Sequence, residues 1–281
     1  MGTTLDTAIR AAAARLANST TPMLDARVLG QRVTGFSHEE LIANGPAPLS
    51  PDQLAHFENL IARRETGEPI AYILGTREFW GDDYIVTPDV LIPRADSETL
   101  ITAAQNRRRD PGRILDLGTG SGCLLGAMMR VFPVALGIGV DRVGAAAQIA
   151  RRNMAKLCLT DRTQIIIGSW LDAVAGPFDI IVSNPPYISP AQAETLPVDV
   201  RGFEPASALF SDKEGRADYE ALFAGMGPAL APDGLLVIEI GDGQDDFLVD
   251  AARAAFSGAA CAVEPDLAGL PRALVVDCAT R

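Results

Sequence analysis

The sequence predicts an α/β protein in which a mostly parallel sheet follows a small helical domain. From Arg113 onward, short apolar runs alternate with helical stretches, which is typical of an open parallel sheet. Up to about residue 75, the apolar residues follow a helical period instead. We therefore expect a helical domain over 1–75, a β-hairpin linker over 76–94 and an α/β domain over 95–281.

The helical domain carries two clear helix starts. Ser37–Glu40 and Ser50–Gln53 both match the capping box, in which a hydroxyl and a carboxylate or amide satisfy backbone N–H groups. His38 and His56 are the only histidines in the chain, and we expect both to be structural or exposed. Since no histidine follows residue 56, a Ser-His-Asp triad or a His-ligated metal is not favoured, and we expect no metal.

The strands of the remaining chain follow from its short apolar runs. Residues 78–86 predict a hairpin with its turn at residues 81–83, and a helix is expected from about Glu98. The sheet strands that we predict are 113–117, 136–140, 164–167, 178–182 and 235–240, with two more near residue 261 and over 273–276.

Composition limits the class of protein. With 48% hydrophobic and 21% charged residues, the chain is typical of a soluble globular protein. Its net charge of -12 argues against a direct nucleic-acid partner, which normally requires a basic surface. No uncharged apolar run approaches about 18 residues, so we expect neither a signal peptide nor a membrane span. Four widely spaced cysteines fit reduced thiols in the cytoplasm.

A glycine-rich loop follows the strand at 113–117 and reads Gly118-Thr119-Gly120-Ser121-Gly122. Glycines at alternate positions let the backbone turn tightly and approach a ligand, and the next helix presents free N–H groups. The following strand ends in Asp141, whose carboxylate can accept hydrogen bonds from both hydroxyls of a ribose. The loop and the acidic residue at this spacing predict an adenosine-containing cofactor.

A second loop, Asn184-Pro185-Pro186-Tyr187, follows the strand at 178–182. Proline lacks an N–H and fixes φ, so the two prolines hold the loop extended and leave its carbonyls free to accept hydrogen bonds. Asn184 adds a side-chain acceptor and Tyr187 adds an aromatic face. Together they predict a socket for a planar group that carries an NH2, such as an amide or an amino-purine. The alternative is an ordinary turn after a strand.

The glycine spacing separates two classes of cofactor. The dinucleotide pattern G-x-G-x-x-G does not fit, because the glycines here run G-x-G-x-G with Asp116 two residues ahead. This pattern resembles the first motif of the class I S-adenosylmethionine-dependent methyltransferases, whose sheet is Rossmann-like. In that sheet the first and fourth strands are neighbours, which would bring Gly118 and Asn184 to one crevice.

Motifs along nearly the whole chain resemble the bacterial protein-(glutamine-N5) methyltransferases that modify peptide chain release factors. These motifs are 68–75, 77–81, 86–94, 184–187, 203–205, 239–241 with Gln244, and 266–269. The resemblance implies methyl transfer from S-adenosyl-L-methionine to the side-chain N5 of the glutamine in the Gly-Gly-Gln loop of a release factor. It also implies a cytoplasmic enzyme whose helical domain recognises the protein substrate, and we expect a monomer.

The resemblance also implies roles for single residues. The implied cofactor-binding residues are Gly118, Thr119, Gly120, Ser121, Gly122, Asp141, Asn184 and Trp170, the last beside the adenine. The implied substrate-binding residues are Asn184, Pro185, Pro186 and Tyr187, of which Asn184, Pro185 and Tyr187 are the catalytic set. The chain departs from the family at Ala95-Asp96-Ser97, where the family has Pro-x-Thr, and at Leu270-Pro271, where it has Arg-Asp.

Other functions stay open on the sequence. A glutamine methyltransferase of a ribosomal protein would use the same chemistry. An adenine-N6 nucleic-acid methyltransferase would recognise the same NH2, although the acidic charge argues against it. A nicotinamide-dependent dehydrogenase would require a different glycine spacing. A non-catalytic binding module could keep the fold and lose the reaction.

Overall fold

The computed structural model describes residues 2–108 and 110–280. Its α-helices are α1 Leu5–Arg15, α2 Pro22–Thr34, α3 His38–Ala43, α4 Pro51–Glu65, α5 Ile70–Leu74, α6 Glu98–Arg107, α7 Cys123–Val131, α8 Gly144–Lys156, α9 Val198–Phe203, α10 Ala206–Leu209, α11 Asp212–Gly215, α12 Ala217–Ala229 and α13 Asp245–Ala255. Its strands are β1 Thr76–Phe79, β2 Asp82–Ile85, β3 Arg113–Leu117, β4 Leu136–Asp141, β5 Thr163–Ile167, β6 Phe178–Ser183, β7 Leu230–Glu239, β8 Ala260–Pro265 and β9 Pro271–Asp277.

The chain forms two compact units. The first contains the residues up to Gly75 together with Leu196–Phe203, and the second contains Thr76–Thr195 and the chain from Glu204 onward. The predicted hairpin is confirmed as β1 and β2, and it belongs to the second unit. Its turn lies at Trp80 and Gly81 rather than at residues 81–83, because Asp82 and Asp83 already pair with β1. Helix α9 is distant in sequence from the other helices of the first unit, but it belongs to that unit. No periodic pattern in the sequence indicated this.

The first unit is a bundle of short helices, as predicted. Both capping boxes are confirmed: the Ser37 hydroxyl accepts from the N–H of Glu40 at 3.2 Å, and the Ser50 hydroxyl accepts from that of Gln53 at 3.1 Å. One such cap typically stabilises a helix by about 1 kcal/mol. His38 and His56 are both exposed, in α3 and α4. The core of the bundle is made by apolar residues of α1, α2, α3, α4 and α5, together with Leu16.

The second unit is built on a seven-stranded sheet in the order β5-β4-β3-β6-β7-β9-β8. Strand β9 runs antiparallel to both of its neighbours, and the other neighbouring strands are parallel. The predicted α/β fold with a mostly parallel sheet is therefore confirmed. Each of the seven strands overlaps its predicted position. The largest difference is in β7, which begins at Leu230 rather than Leu235 and ends at Glu239 rather than Ile240.

Helices cover both faces of the sheet because successive strand residues point to opposite sides. Ile114 of β3 and Ile180 of β6 pack with α6, α7 and α8, whereas their neighbours Leu115 and Ile181 pack with α12 and α13. All four side chains are fully buried. Burial of a side chain of this size typically stabilises the fold by about 1.5–3 kcal/mol, so the two layers hold the sheet rigidly.

The order of the strands places a crevice beside β3. From β3 the chain moves outward to β4 and β5, and it then returns to β6 on the other side of β3. In an open α/β sheet, ligands bind outside the carboxyl ends of the strands at such a reversal. The predicted neighbours, the first and fourth strands of the sheet, are β3 and β6, and they are paired as expected.

Candidate active site

A cleft lies at the carboxyl ends of β3, β4 and β6, and its empty volume, including the solvent at its open mouth, is about 910 Å³. Of the residues predicted to bind cofactor or substrate, those that line the cleft are Gly118, Thr119, Gly120, Ser121, Asp141, Trp170, Asn184 and Pro186. Gly122, Pro185 and Tyr187 are not among its lining residues. The opposite wall is formed by residues 89–91, by Pro93 and Arg94, and by Ser97. The structure thus brings both predicted loops to one cleft.

The glycine loop is held tightly against the end of β4. The N–H groups of Gly118 and Thr119 both donate to the carbonyl of Val140, at 2.9 and 3.0 Å. Gly118, Gly120 and Gly122 all have positive φ, of +71°, +54° and +79°. L-residues with a Cβ rarely adopt this conformation, so the loop requires glycine at these positions for its shape.

Trp170 closes the cleft over the first glycine. A Cβ added to Gly118 would lie 3.5 Å from the Trp170 ring, and Trp170 itself has an unusual φ of +47°. Non-glycine residues with positive φ are uncommon and often lie at functional sites. The indole of Trp170 therefore lies close to the bare backbone of Gly118, and both residues line the cleft.

Asp141 is anchored by backbone donors at both carboxylate oxygens. Its Oδ2 accepts from the N–H of Gly120 at 2.9 Å, and its Oδ1 accepts from that of Val143 at 2.8 Å. Each oxygen keeps a second lone pair, so the carboxylate can still accept hydrogen bonds from a ligand in the cleft. This arrangement suits the two adjacent hydroxyls of a ribose.

Asp116 lies beneath the loop and is completely buried. Its Oδ2 accepts from the Thr119 hydroxyl at 2.6 Å, while no hydrogen bond to its Oδ1 is found among the described residues. Burial raises the pKa of the Asp116 carboxyl to about 7, and the Thr119 hydroxyl opposes this shift. Asp116 does not line the cleft, and its described contact with the site is the hydrogen bond to Thr119.

The Asn184 side chain is oriented by a buried network that the sequence did not reveal. Its Nδ2 donates to the Ser97 hydroxyl at 3.3 Å, and this hydroxyl donates to Glu239 Oε2 at 2.5 Å. No donor to Asn184 Oδ1 is found within the described part of the chain. The side-chain oxygen of Asn184 thus remains available to a ligand of the cleft.

Glu239 also holds the other end of the Asn-Pro-Pro-Tyr loop. The Tyr187 hydroxyl donates to Glu239 Oε1 at 3.3 Å, and Gln244 Nε2 donates to the Tyr187 carbonyl at 3.1 Å. Burial raises the pKa of the Glu239 carboxyl, and the Ser97 hydroxyl and the charge of Arg272 oppose this shift. Burial likewise raises the pKa of the Tyr187 phenol, so its hydroxyl stays protonated and can donate.

A second buried carboxylate supports the opposite wall of the cleft. Glu204 accepts from the Arg94 guanidinium at 2.5 Å through Oε1 and from the N–H of Ile92 at 3.1 Å through Oε2. The Glu204 side chain is only 1% exposed, whereas that of Arg94 is 37% exposed and reaches the cleft. The segment before α6 is therefore fastened to the segment after α9.

Sequence reasoning missed Ser97 and Glu239 as parts of the site. A signal for Glu239 was present, because a carboxylate at the end of the apolar run 235–238 is an expensive group to bury. Ser97 offered no such signal, since a serine before a helix is ordinarily a cap. Only the folded chain shows that these two residues, 142 positions apart, are in contact.

Comparisons with known proteins identify the family of the chain. The PrmC N-terminal domain matches residues 7–75, and the methyltransferase small domain matches residues 94–209. A release factor glutamine methyltransferase from Rhodospirillum rubrum is 42% identical over 257 residues, which is 90% of this chain and 78% of the relative. Another, from Bradyrhizobium diazoefficiens, is 38% identical over 280 residues, covering 97% of this chain and 94% of the relative.

This chain belongs to the release factor glutamine methyltransferase family. The resemblance drawn from its motifs is thereby confirmed, and the chain is a methyltransferase rather than a dehydrogenase. A solved methyltransferase from Pyrococcus furiosus has a TM-score of 0.52 at 18% identity, over 79% of this chain and 98% of that one. At that identity the likeness supports the fold alone. Among the described helices, none is both long and apolar enough to cross a membrane.

Proposed function

We propose that this protein transfers a methyl group from S-adenosyl-L-methionine to the side-chain amide nitrogen of the glutamine in the Gly-Gly-Gln loop of peptide chain release factors. The observation that carries the proposal is the position of Asn184. Asn184 lines the same cleft as the glycine loop and Asp141, and no described residue donates a hydrogen bond to its Oδ1. The names of the related proteins support a release factor as the substrate.

The cleft fits S-adenosyl-L-methionine on three grounds. The positive φ angles of Gly118, Gly120 and Gly122 let the backbone of the loop approach a ligand closely, in a cleft that Trp170 also lines. Asp141 offers two backbone-anchored oxygens to ribose hydroxyls. Asp116 is buried beneath the glycine loop and accepts at 2.6 Å from the hydroxyl of Thr119, which lines the cleft, so it holds the loop in place. Residues 118–122, Asp141 and Trp170 would therefore hold the cosubstrate, and Asp116 would support the loop through Thr119.

The sulfonium of the bound cosubstrate supplies an already activated methyl group. What remains for the protein is to orient a poor nucleophile, because the lone pair of an amide nitrogen is delocalised into its carbonyl. Two acceptors can serve this purpose. One is Asn184 Oδ1, and the other is the carbonyl of Pro185, to which no described residue donates.

Acceptors on both N–H bonds would fix the plane of the substrate amide and increase electron density on its nitrogen. They would also stabilise the positive charge that the nitrogen gains as the new bond forms, so they bind the transition state better than the ground state. The Tyr187 ring would stack against the amide, with its hydroxyl held by Glu239. A methylated, protonated amide is strongly acidic, so it can lose its proton to solvent without a dedicated base.

The helical unit would contribute recognition of the protein substrate. Three large apolar side chains of α2 and α3 are exposed to solvent, Met23 at 38%, Leu24 at 56% and Ile42 at 61%. Exposed apolar side chains are common singly, but several on one small unit suit a protein–protein contact. In α9, Val198 is exposed at 60% and belongs to the same unit.

Mass spectrometry of a purified release factor, after incubation with this protein and S-adenosyl-L-methionine, tests the function. We expect a gain of one methyl group on the glutamine of the Gly-Gly-Gln loop. A release factor in which that glutamine is replaced by glutamate is the matched control and should gain none. Methylation of a ribosomal protein or of adenine in its place would overturn the proposal.

A further inference from the structure

We infer that Ser97 and Glu239 form a relay that sets which way the side-chain amide of Asn184 faces. Neither residue would touch the reacting atoms, so both are positioning residues. The inference rests on the proposed function, in which Asn184 Oδ1 accepts a hydrogen bond from the substrate amide.

The relay begins with a carboxylate that is costly to bury. Glu239 is 2% exposed at the end of β7, and it accepts hydrogen bonds from Ser97 and Tyr187. A buried carboxylate is tolerated only where donors compensate for its lost hydration. Ser97 donates to one carboxylate oxygen and Tyr187 to the other, and both hydroxyls and the charge of Arg272 favour the ionised form against burial. An ionised carboxylate only accepts hydrogen bonds, so each of these hydroxyls points its proton toward it.

This requirement gives the Ser97 hydroxyl a direction. A hydroxyl has a single proton, and in Ser97 that proton is committed to Glu239 Oε2 at 2.5 Å. Toward Asn184 the same oxygen can then only accept. The amide of Asn184 must therefore present its NH2 to Ser97, at 3.3 Å, and leave its oxygen for the cleft.

The opposite orientation of the amide would defeat the reaction. If Asn184 were flipped, its NH2 would face the NH2 of the substrate glutamine, and two donors would oppose each other. Asparagine oxygen and nitrogen are nearly the same size, so packing alone discriminates poorly between the two orientations. A polarised partner such as Ser97 is what distinguishes them.

The same carboxylate steadies the far side of the socket. Through the Tyr187 hydroxyl, Glu239 holds the residue that ends the Asn-Pro-Pro-Tyr loop, while through Ser97 it holds the residue that begins it. Gln244 adds a hydrogen bond to the Tyr187 carbonyl at 3.1 Å. One buried group thus fixes both ends of the loop that would grip the substrate.

Steady-state methylation of a release factor by Ser97→Ala, Ser97→Thr and Glu239→Gln tests the relay. Ser97→Ala should lower kcat about tenfold or more with the Kd of S-adenosyl-L-methionine within about twofold, the loss expected for one charge-assisted hydrogen bond. Ser97→Thr keeps the hydroxyl and should recover most of the lost kcat. Ser257→Ala, at an exposed serine outside the cleft, is the matched control and should behave as the wild type.

Glu239→Gln separates positioning from mere packing. Glutamine is nearly isosteric and uncharged, so the variant should unfold at the same or a higher temperature than the wild type, because no buried charge remains to be desolvated. Its kcat should nevertheless fall about tenfold or more, since glutamine can donate to Ser97 and reverse the relay. A lower unfolding temperature with unchanged kcat would contradict the inference.

A measurement that does not require methyl transfer tests the relay independently of the proposed function. In ¹⁵N-labelled protein, the NH2 signal of Asn184 can be assigned by its absence in Asn184→Asp. Its exchange with water should accelerate about tenfold or more in Ser97→Ala, which removes the acceptor. Unchanged exchange, or a weakened cofactor Kd at unchanged kcat, would overturn the relay. Failure of the wild type to methylate a release factor would instead overturn the proposed substrate.

Discussion

Replacing Asn184 with alanine should abolish most methyl transfer and leave the fold almost intact. Among the described residues, the Asn184 side chain makes one hydrogen bond, to Ser97 at 3.3 Å, so its removal should lower the free energy of unfolding by only about 1 kcal/mol. Removal of one preorganised polar contact to a transition state typically lowers kcat by about 10²-fold or more, equivalent to about 2.7 kcal/mol. Activity should therefore fall far more than stability.

The assay is steady-state methylation of a release factor, with the Kd of S-adenosyl-L-methionine measured by calorimetry on the same preparations. We expect Asn184→Ala to bind the cosubstrate nearly as the wild type does, because residues 118–122 and Asp141 are unchanged. Asn106→Ala, at an exposed position of α6 in the same unit, is the matched control. Turnover of Asn184→Ala within about threefold of wild type would refute the role given to Asn184.

Three further predictions concern the cofactor cleft. Gly118→Val should weaken binding of S-adenosyl-L-methionine at least about tenfold, because φ is +71° and a Cβ would face the Trp170 ring at 3.5 Å. Calorimetry measures this affinity, and Gly227→Ala, at a glycine with open space around it, is the control. Asp141→Asn should lower both cosubstrate affinity and unfolding temperature, since the NH2 of the new asparagine would oppose the N–H of Gly120 or Val143. A variant that binds the cosubstrate with the wild-type Kd would count against the role assigned to Asp141. Burial raises the pKa of Asp116 from 3.8 to about 7, so the folded state binds more protons than the unfolded state, and stability should fall as pH rises through this window. Asp116→Asn should flatten that slope in thermal unfolding, and an unchanged slope would show that another group causes it.

The sequence by itself determined the class of fold and the two loops that matter. Apolar runs predicted all seven strands, because a strand covered on both faces must be apolar at nearly every position. The glycine spacing and the prolines predicted the two loops, because each has a backbone requirement that few residue types satisfy. These features depend on local chemistry, which can be read from neighbouring residues.

Only the tertiary structure decided how the loops are held in place. The contact of Ser97 with Glu239 spans 142 positions, and that of Arg94 with Glu204 spans 110, so no local pattern records either. Helix α9 likewise joins the first unit from far along the chain. Hydrogen-bond direction is a property of groups brought together by folding, and for that reason the orientation of Asn184 could be inferred only after its buried partners were known.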